Sequence, residues 1–476
     1  MTGIAPMAQN EPQLSRSLRG IHLWGIAVGL VISGEYFGWS YGWAQAGTLG
    51  FLVTTVLIAV MYTTFIFSYT ELTTAIPHAG GPFAYAYRAF GPAGGYLAGF
   101  STLVEFVFAP PAIALAIGSY LHVQFQHLDA RVAAVGAYAV FMTLNIVGVM
   151  IAATFELVIT LLAIAELVVF MAVVSGGFSW AHYTHLGWAG HAHPTAGLTG
   201  GIFAAIPFAI WFFLAIEGAA MAAEEVKHPE RTIPPAYICG ILTLLALAFG
   251  TMIFAGGAGN WRAIADINDP LPQAMRMVVG ARSGWLHLLV WIGLLGLIAS
   301  FHGIIMGYSR QIFALARAGY LPGFLGRLHR RWQTPHVAVL AGGAVGIAAI
   351  YSDRVISVAG QPLTASIVTL SALGAIVMYI VSLASVLRLR RREPRLHRPF
   401  RTPFFPIFPL VALLLAIVSL VSIAFYNPQL AAVFVGLGAL GGAATWYRSR
   451  RHALGGADVL LNRGATDLDT GSDAGG

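Results

Sequence analysis

The chain has 476 residues, of which 58% are hydrophobic and only 9% charged, a balance that excludes an ordinary soluble domain and indicates a polytopic membrane protein. Its 26 basic and 19 acidic residues leave a net charge of +7. The basic residues gather in short loops between apolar runs, so the excess is a topology signal and nucleic acid is not an expected partner.

Met1 to Gly20 has no apolar core ahead of Ile21 and is expected as a cytoplasmic segment, not a cleaved signal peptide. Windows of about 20 apolar residues predict an all-α protein with twelve spans, near 21–46, 49–75, 93–123, 131–149, 151–175, 201–225, 235–257, 284–313, 336–351, 364–387, 404–425 and 429–447. The fourth and fifth nearly fuse, with their boundary near Gly148. With the N-terminus inside, 21 of the Lys and Arg residues fall on the cytoplasmic side and five outside: Arg131, Arg262, Arg276, Arg282 and Arg354. That asymmetry supports the orientation, with both termini cytoplasmic.

The first span contains VISGEYFGWSYG, Val31 to Gly42, which sets Glu35 beside Ser33 near mid-membrane and spaces Gly34, Gly38 and Gly42 four apart. A carboxylate there costs about 2.5–3.5 kcal/mol on insertion scales and needs a partner, a proton or a water-filled cavity. The glycines weaken the helix and let the backbone open, so a helix broken around a small cationic solute is expected. Between the second and third spans, Glu71 to Gly91 has Pro and Gly pairs that forbid a continuous helix and reads as a cytoplasmic re-entrant or surface loop. Pro110 and Pro111 are expected to kink the third span. The external loop 176–200 carries His182, His185, His191 and His193, but their spacing matches no compact metal-ligand motif. Cys239, the lone cysteine, lies in an apolar run and reads as small core filler, leaving no disulfide framework. The stretch from Ala258 to Gly284 reads as a short amphipathic external cap. Seven arginines between Arg388 and Arg401 mark a basic cytoplasmic loop, 389–403, with some contact to anionic membrane lipids. From about 448 to 476 the tail is small, polar and expected to be disordered.

The sixth span repeats the peculiarity of the first: AIWFFLAIEGAAMAAEEV sets Glu217 and Gly218 just past the aromatic cluster Trp211, Phe212 and Phe213. Disrupted segments at corresponding positions of two halves mark a transporter site built from inverted repeats. The alternative is that Gly34 and Gly218 only let helices pack closely.

Three passages carry a family resemblance: the opening break, ELTTAIPHAGGPFAYAYRAFG, and EEVKHPERTIPPA from Glu224 to Ala236. With them, residues 20 to about 400 resemble the amino acid, polyamine and organocation transporter superfamily, and SGEYFGWSYG and FFLAIEGAAMAAEEVKHPERTIP are most similar to the ethanolamine permeases. The resemblance implies the five-plus-five inverted-repeat fold of the bacterial leucine transporter, with repeats at 21–175 and 201–388 and two further helices at 404–447. It also implies alternating access in a bacterial cytoplasmic membrane. In amino acid carriers a small-residue unwound motif offers bare amides to the substrate carboxylate; Gly38, Trp39 and Ser40 occupy those positions here. Trp39 crowds that pocket and Glu35 repels a carboxylate, so an amine without one, such as ethanolamine, fits better.

Aligned on the same family, Glu105 faces the central site, either as partner of the substrate ammonium or as a protonated carboxyl bonded to a neighbouring helix. Trp211 aligns with a gate that covers bound substrate, and Ala215 lies within the second break. Glu217 either takes part in coupling or ties down free amides at the break. Tyr36, Phe37, Trp39, Trp211, Phe212 and Phe213 flank the breaks and can cage a cation or simply pack. Ser300 is a single hydroxyl for a sodium site, and His302 reads as an interior histidine. Glu156 and Glu166, near one face of the fifth span, offer a proton path or interhelical hydrogen bonds, and Glu71 is placed at an inner gate. Several buried carboxylates and no sodium-ligand cluster favour proton over sodium coupling. No enzyme motif, cofactor site, channel filter or signalling domain is visible. The leading expectation is a secondary transporter importing ethanolamine, with a broader amine or cationic amino acid permease as the alternative.

Overall fold

The computed structural model describes residues 18–449 except 79, 148–152, 191–196 and 353–360. Expectations for residues 1–17, the boundary near Gly148, His191, His193, Arg354 and the tail from 450 onward lie outside the described residues. Among those described, the regular structure is helical, apart from one isolated parallel bridge between Leu18 and Val226.

In chain order the α-helices are α1 (Gly20–Val31), α2 (Ser33–Tyr36), α3 (Ser40–Ala75), α4 (Pro82–Phe90), α5 (Pro92–Gln124), α6 (Ala130–Val147), α7 (Ala153–Val174), α8 (Trp180–Thr184), α9 (Gly197–Ala204), α10 (Ile206–Trp211), α11 (Pro229–Gly257), α12 (Pro270–Val279), α13 (Gly284–Arg317), α14 (His336–Ile350), α15 (Leu363–Arg392), α16 (Ile407–Tyr426) and α17 (Pro428–Ser449). Among the described residues, nine (α3, α5, α6, α7, α11, α13, α15, α16 and α17) are long and apolar enough to cross a membrane, and α1 and α14 are shorter apolar helices. Within α3 the chain turns sharply at Gly47, where φ is 72° and ψ is 174°. A side chain there would collide with the Gly187 carbonyl, so glycine is required both for the backbone angle and for the close approach.

Interior and perimeter separate by what the side chains meet. α5 runs through the centre, packed along α15 and α13, while α1 lies against α7, α11 and the 3-10 segment Ile216–Glu225. Gly374 of α15 lies so near the backbone of Ser101 and Glu105 that a Cβ would meet the Ser101 carbonyl oxygen at 2.6 Å. α7, α16 and α17 instead expose large apolar side chains, such as Phe155, Leu414 and Leu440. Contiguous apolar surface of that kind needs a non-aqueous neighbour, which a bilayer provides.

α5 continues as one helix through Pro110 and Pro111, packed against α13 and α15. Two local expectations are corrected. Of the two readings for the stretch after α3, the surface loop is overturned: the chain resumes as α4, with Phe83, Tyr85 and Tyr87 buried. The Tyr85 ring packs edge-on against Tyr69 at 5.6 Å. Cys239 lies exposed on α11, so it does not fill the core.

Candidate functional site

Two interruptions of helix meet at the centre. α1 and α2 end at Tyr36; Phe37 is extended, Gly38 has φ 93°, and helix resumes at Ser40. α10 ends at Trp211, and Ala215 is left-handed, with φ 77°, before the 3-10 segment begins. A non-glycine residue in that conformation stores roughly 1–3 kcal/mol of strain, which the surrounding packing must hold. Gly34 sits directly against the Trp211 carbonyl and Phe212, and Gly38 against the Trp211 indole. Any side chain at either glycine would push the two interruptions apart.

The aromatic residues around the breaks interlock. Trp39 stacks on Phe212, with centroids 6.2 Å apart and planes within 9°, and meets Trp43 edge-on at 4.8 Å. Phe37 meets Trp211 edge-on at 5.4 Å, and Phe213 lies 5.1 Å from Tyr62. The Trp39 indole N–H donates to the Glu35 carbonyl at 3.0 Å, which partly replaces the helical partner lost at the break. The far side is fastened too: Ser40 donates to the Ile267 carbonyl at 3.0 Å and Tyr41 to Asn268 at 2.5 Å, in the loop ahead of α12.

The central acids divide into two groups. Glu35 is fully buried; its Oε2 lies 3.4 Å from the Thr251 hydroxyl of α11, and its Oε1 has no partner. Thr251 also has the Leu247 carbonyl at 2.8 Å, so its single proton is not committed to Glu35. Glu105 neighbours the Glu217 carboxyl and the Ala215 N–H, but both of its carboxylate oxygens, like Glu217 Oε1, are buried with no hydrogen-bond partner. Glu217 Oε2 accepts from the Tyr379 hydroxyl at 3.0 Å, and the Tyr62 hydroxyl lies 3.0 Å from that of Tyr379. Tyr237 donates to the Glu217 carbonyl at 3.3 Å. Glu35 and Glu105 thus have different polar neighbours, and the acid adjoining Glu105 is Glu217.

The remaining predicted residues fall around this centre. Glu166 lies beside the Tyr36 hydroxyl, which donates to the Ala163 carbonyl at 3.1 Å. Glu156 and Thr160 close on Gly29 of α1. The two glutamates of α7 therefore flank α1–α2 at levels about 15 Å apart. Ser300 donates to the Leu30 carbonyl at 2.7 Å and lies 2.8 Å from Ser33 Oγ, so each hydroxyl has a protein partner. His302 Nδ1 is 3.0 Å from the Asn145 amide.

Glu71 is apart from the breaks, held by Arg390 at 2.8 and 2.6 Å, by Arg398 at 3.2 Å, and by the amide and hydroxyl of Thr402, both at 2.8 Å. A cavity of about 110 Å³ begins next to the breaks at Leu30, Phe106 and Gly218, passes Glu156 and His302, and reaches Glu225 and Arg310. Leu18 and Glu225, both in its lining, belong to the Leu18–Val226 bridge, in which Leu18 N–H donates to the Glu225 carbonyl at 3.0 Å and Lys227 N–H to the Leu18 carbonyl at 2.9 Å.

Sequence reasoning missed Thr251, Tyr62 and Tyr379. Tyrosines favour membrane interfaces, so Tyr62 and Tyr379, each well inside an apolar run, were the available signal.

Interrupted helices that meet among buried carboxylates at the centre of an apolar helical bundle are the architecture of a multi-pass membrane transporter. The chain belongs to the amino acid permease family, which matches residues 19–447. It is 30% identical over 396 residues to an uncharacterized transporter of Rhizobium meliloti, covering 81% of this chain and 82% of that one. It is 26% identical over 318 residues to a low-affinity putrescine importer of Escherichia coli, covering 64% and 67%. It is 22% identical over 411 residues to a branched-chain amino acid permease of Bacillus subtilis, covering 81% and 83%.

Proposed function

We propose that the protein is a secondary active transporter that imports a small amine, ethanolamine first, by alternating access in a bacterial cytoplasmic membrane. In this reading twelve spans form a five-plus-five inverted repeat with two additional helices, α16 and α17, and both termini are cytoplasmic. The observation that carries it is Glu35, fully buried at the first break, with one carboxylate oxygen unpartnered and Trp39 and Phe212 close by. An ammonium supplies the missing positive charge, and aromatic faces favour it further. A substrate carboxylate would meet Glu35 as a like charge, which argues against ordinary amino acids.

Glu105 and Glu217 are neighbouring buried acids with no basic side chain among their hydrogen-bond partners in the described residues, and two like charges in low dielectric repel, so in this reading the pair shares a proton. Tyr379 and Tyr62 extend that pair as a hydroxyl chain. We assign proton coupling to this group, with Glu166 and Glu156 as further stations, and sodium as the less favoured ion. Trp211 acts as the gate beside Gly38, and Gly34, Phe213 and Ala215 shape the pocket wall. A broader amine permease is the second reading, favoured by the similarity to a putrescine importer. Competition by ethanolamine, putrescine, arginine and alanine against labelled ethanolamine uptake in proteoliposomes separates them. Ethanolamine competing best supports the first reading; putrescine or arginine competing equally well supports the second.

A further inference from the structure

The basic end of α15 carries more positive charge than the described residues neutralise. Arg390 and Arg398 are committed to Glu71, and Arg88 takes Glu393, with its Nη2 at 2.7 Å and its Nε at 3.1 Å from Oε2. Arg388, Arg391 and Arg392 are left, spaced i, i+3 and i+4, which turns them to one face of the helix. No acidic side chain among the described residues lies within salt-bridge range of these three. Together with Phe90, Leu387 and Leu413 they line a recess of about 450 Å³ between α4, α15 and α16. The Arg388 guanidinium lies over the Phe90 ring at 4.8 Å, and its Nε is buried with no hydrogen-bond acceptor.

Three unpaired guanidiniums on one face repel each other and call for an anion with several acceptor oxygens. The floor of the recess is apolar and opens to the perimeter: Leu410, one turn from Leu413 on α16, is exposed. A soluble anion would use the arginines and leave that floor idle, whereas an amphiphile uses both. We propose that this recess holds the phosphodiester headgroup of an anionic phospholipid, whose acyl chains run down the face of Leu387 and Leu413. The bound headgroup bridges α4, α15 and α16 at the end where Glu71 already ties α3 to α15. The inference does not depend on which amine is transported.

Spin-labelled phosphatidylglycerol and phosphatidylcholine added to the full chain in phosphatidylcholine vesicles test it, the readout being the motionally restricted fraction of each label. The parent should prefer phosphatidylglycerol by roughly tenfold, as anionic headgroups near three basic side chains do. The triple variant Arg388→Gln, Arg391→Gln, Arg392→Gln should lose most of that preference. A control removing the same charge from the exposed loop ahead of α14, Arg327→Gln, Arg330→Gln, Arg331→Gln, should keep it. Should the triple variant reconstitute poorly, Arg392→Gln alone, at an exposed position, should still lower the preference measurably. Undiminished preference in the triple variant, equal loss in the control, no preference in the parent, or displacement of the lipid by millimolar inorganic phosphate would each overturn the assignment.

Discussion

At the scale of single residues, the position of Glu35 sets what the site can hold. Its nearest polar group, Thr251, has a better acceptor of its own at 2.8 Å, so the carboxyl waits for a proton or a cation. Glu35→Gln should therefore weaken ethanolamine binding at least tenfold, about 1.4 kcal/mol, measured by calorimetry on purified protein. Glu105→Gln should cost less affinity, because Glu105 adjoins Glu217 and the Ala215 amide. Glu217→Gln keeps the acceptor that Tyr379 needs; it should impair gradient-driven uptake more than equilibrium binding. If Glu35→Gln binds ethanolamine like the parent, the ammonium lies elsewhere and the proposed function fails. Trp39 offers a second residue-scale test, since it both crowds the amide positions and anchors the Glu35 carbonyl. Trp39→Ser should weaken ethanolamine binding and admit alanine only when Glu35 is also neutralised. A single Trp39→Ser variant that transports alanine well would remove the argument from charge repulsion.

At the scale of elements, the crossing of the two breaks depends on glycine. Gly38 combines φ 93° with direct contact on the Trp211 indole, so Gly38→Ala adds backbone strain of roughly 1 kcal/mol or more to a steric clash. Transport should be lost while the protein still elutes as a folded species, since the rest of the bundle packs without this residue; a Gly38→Ala protein with parental uptake would show that the breaks can separate freely. The Glu71 cluster behaves oppositely. Glu71 is 2% exposed and receives two arginines, so Glu71→Gln leaves them uncompensated and should destabilise the protein by about 3–5 kcal/mol, seen as a lower melting temperature in detergent. It ties α3 to α15 and the basic loop; the sequence placed Glu71 at an inner gate without naming these partners. Those partners were illegible because Arg390, Arg398 and Thr402 lie more than three hundred residues away in the chain. The breaks, by contrast, were legible, because Glu35 and Glu217 are costly in an apolar run and each stands beside glycine. Which acid adjoins which depends on how α5, α10 and α15 pack, and periodicity does not encode that.

At the scale of the whole molecule, the breaks are fastened to the rest of the bundle at two places, and the two fastenings are built differently. One rests on side chains, Ser40 and Tyr41 against the loop at Ile267 and Asn268. The other rests on two backbone hydrogen bonds joining Leu18, which lines the cavity, to Glu225 and Lys227. If the proposed alternating access holds, this cavity, lined also by Ile26, Gly218 and Met306, should widen in one of its states. Because the bridge couples the base of α1 to the end of the 3-10 segment, the two broken helices should move together on this side. A thiol at Met306 reports that motion, in a Cys239→Ser background that should be silent because Cys239 is exposed on α11. Met306→Cys should react with a membrane-impermeant maleimide from the basic side only, and saturating ethanolamine should change its rate by roughly threefold or more, as expected when a ligand shifts a two-state population. Labelling at one rate with and without substrate, while transport remains intact, would mean that this cavity is not part of the path and that the substrate leaves the breaks by another route.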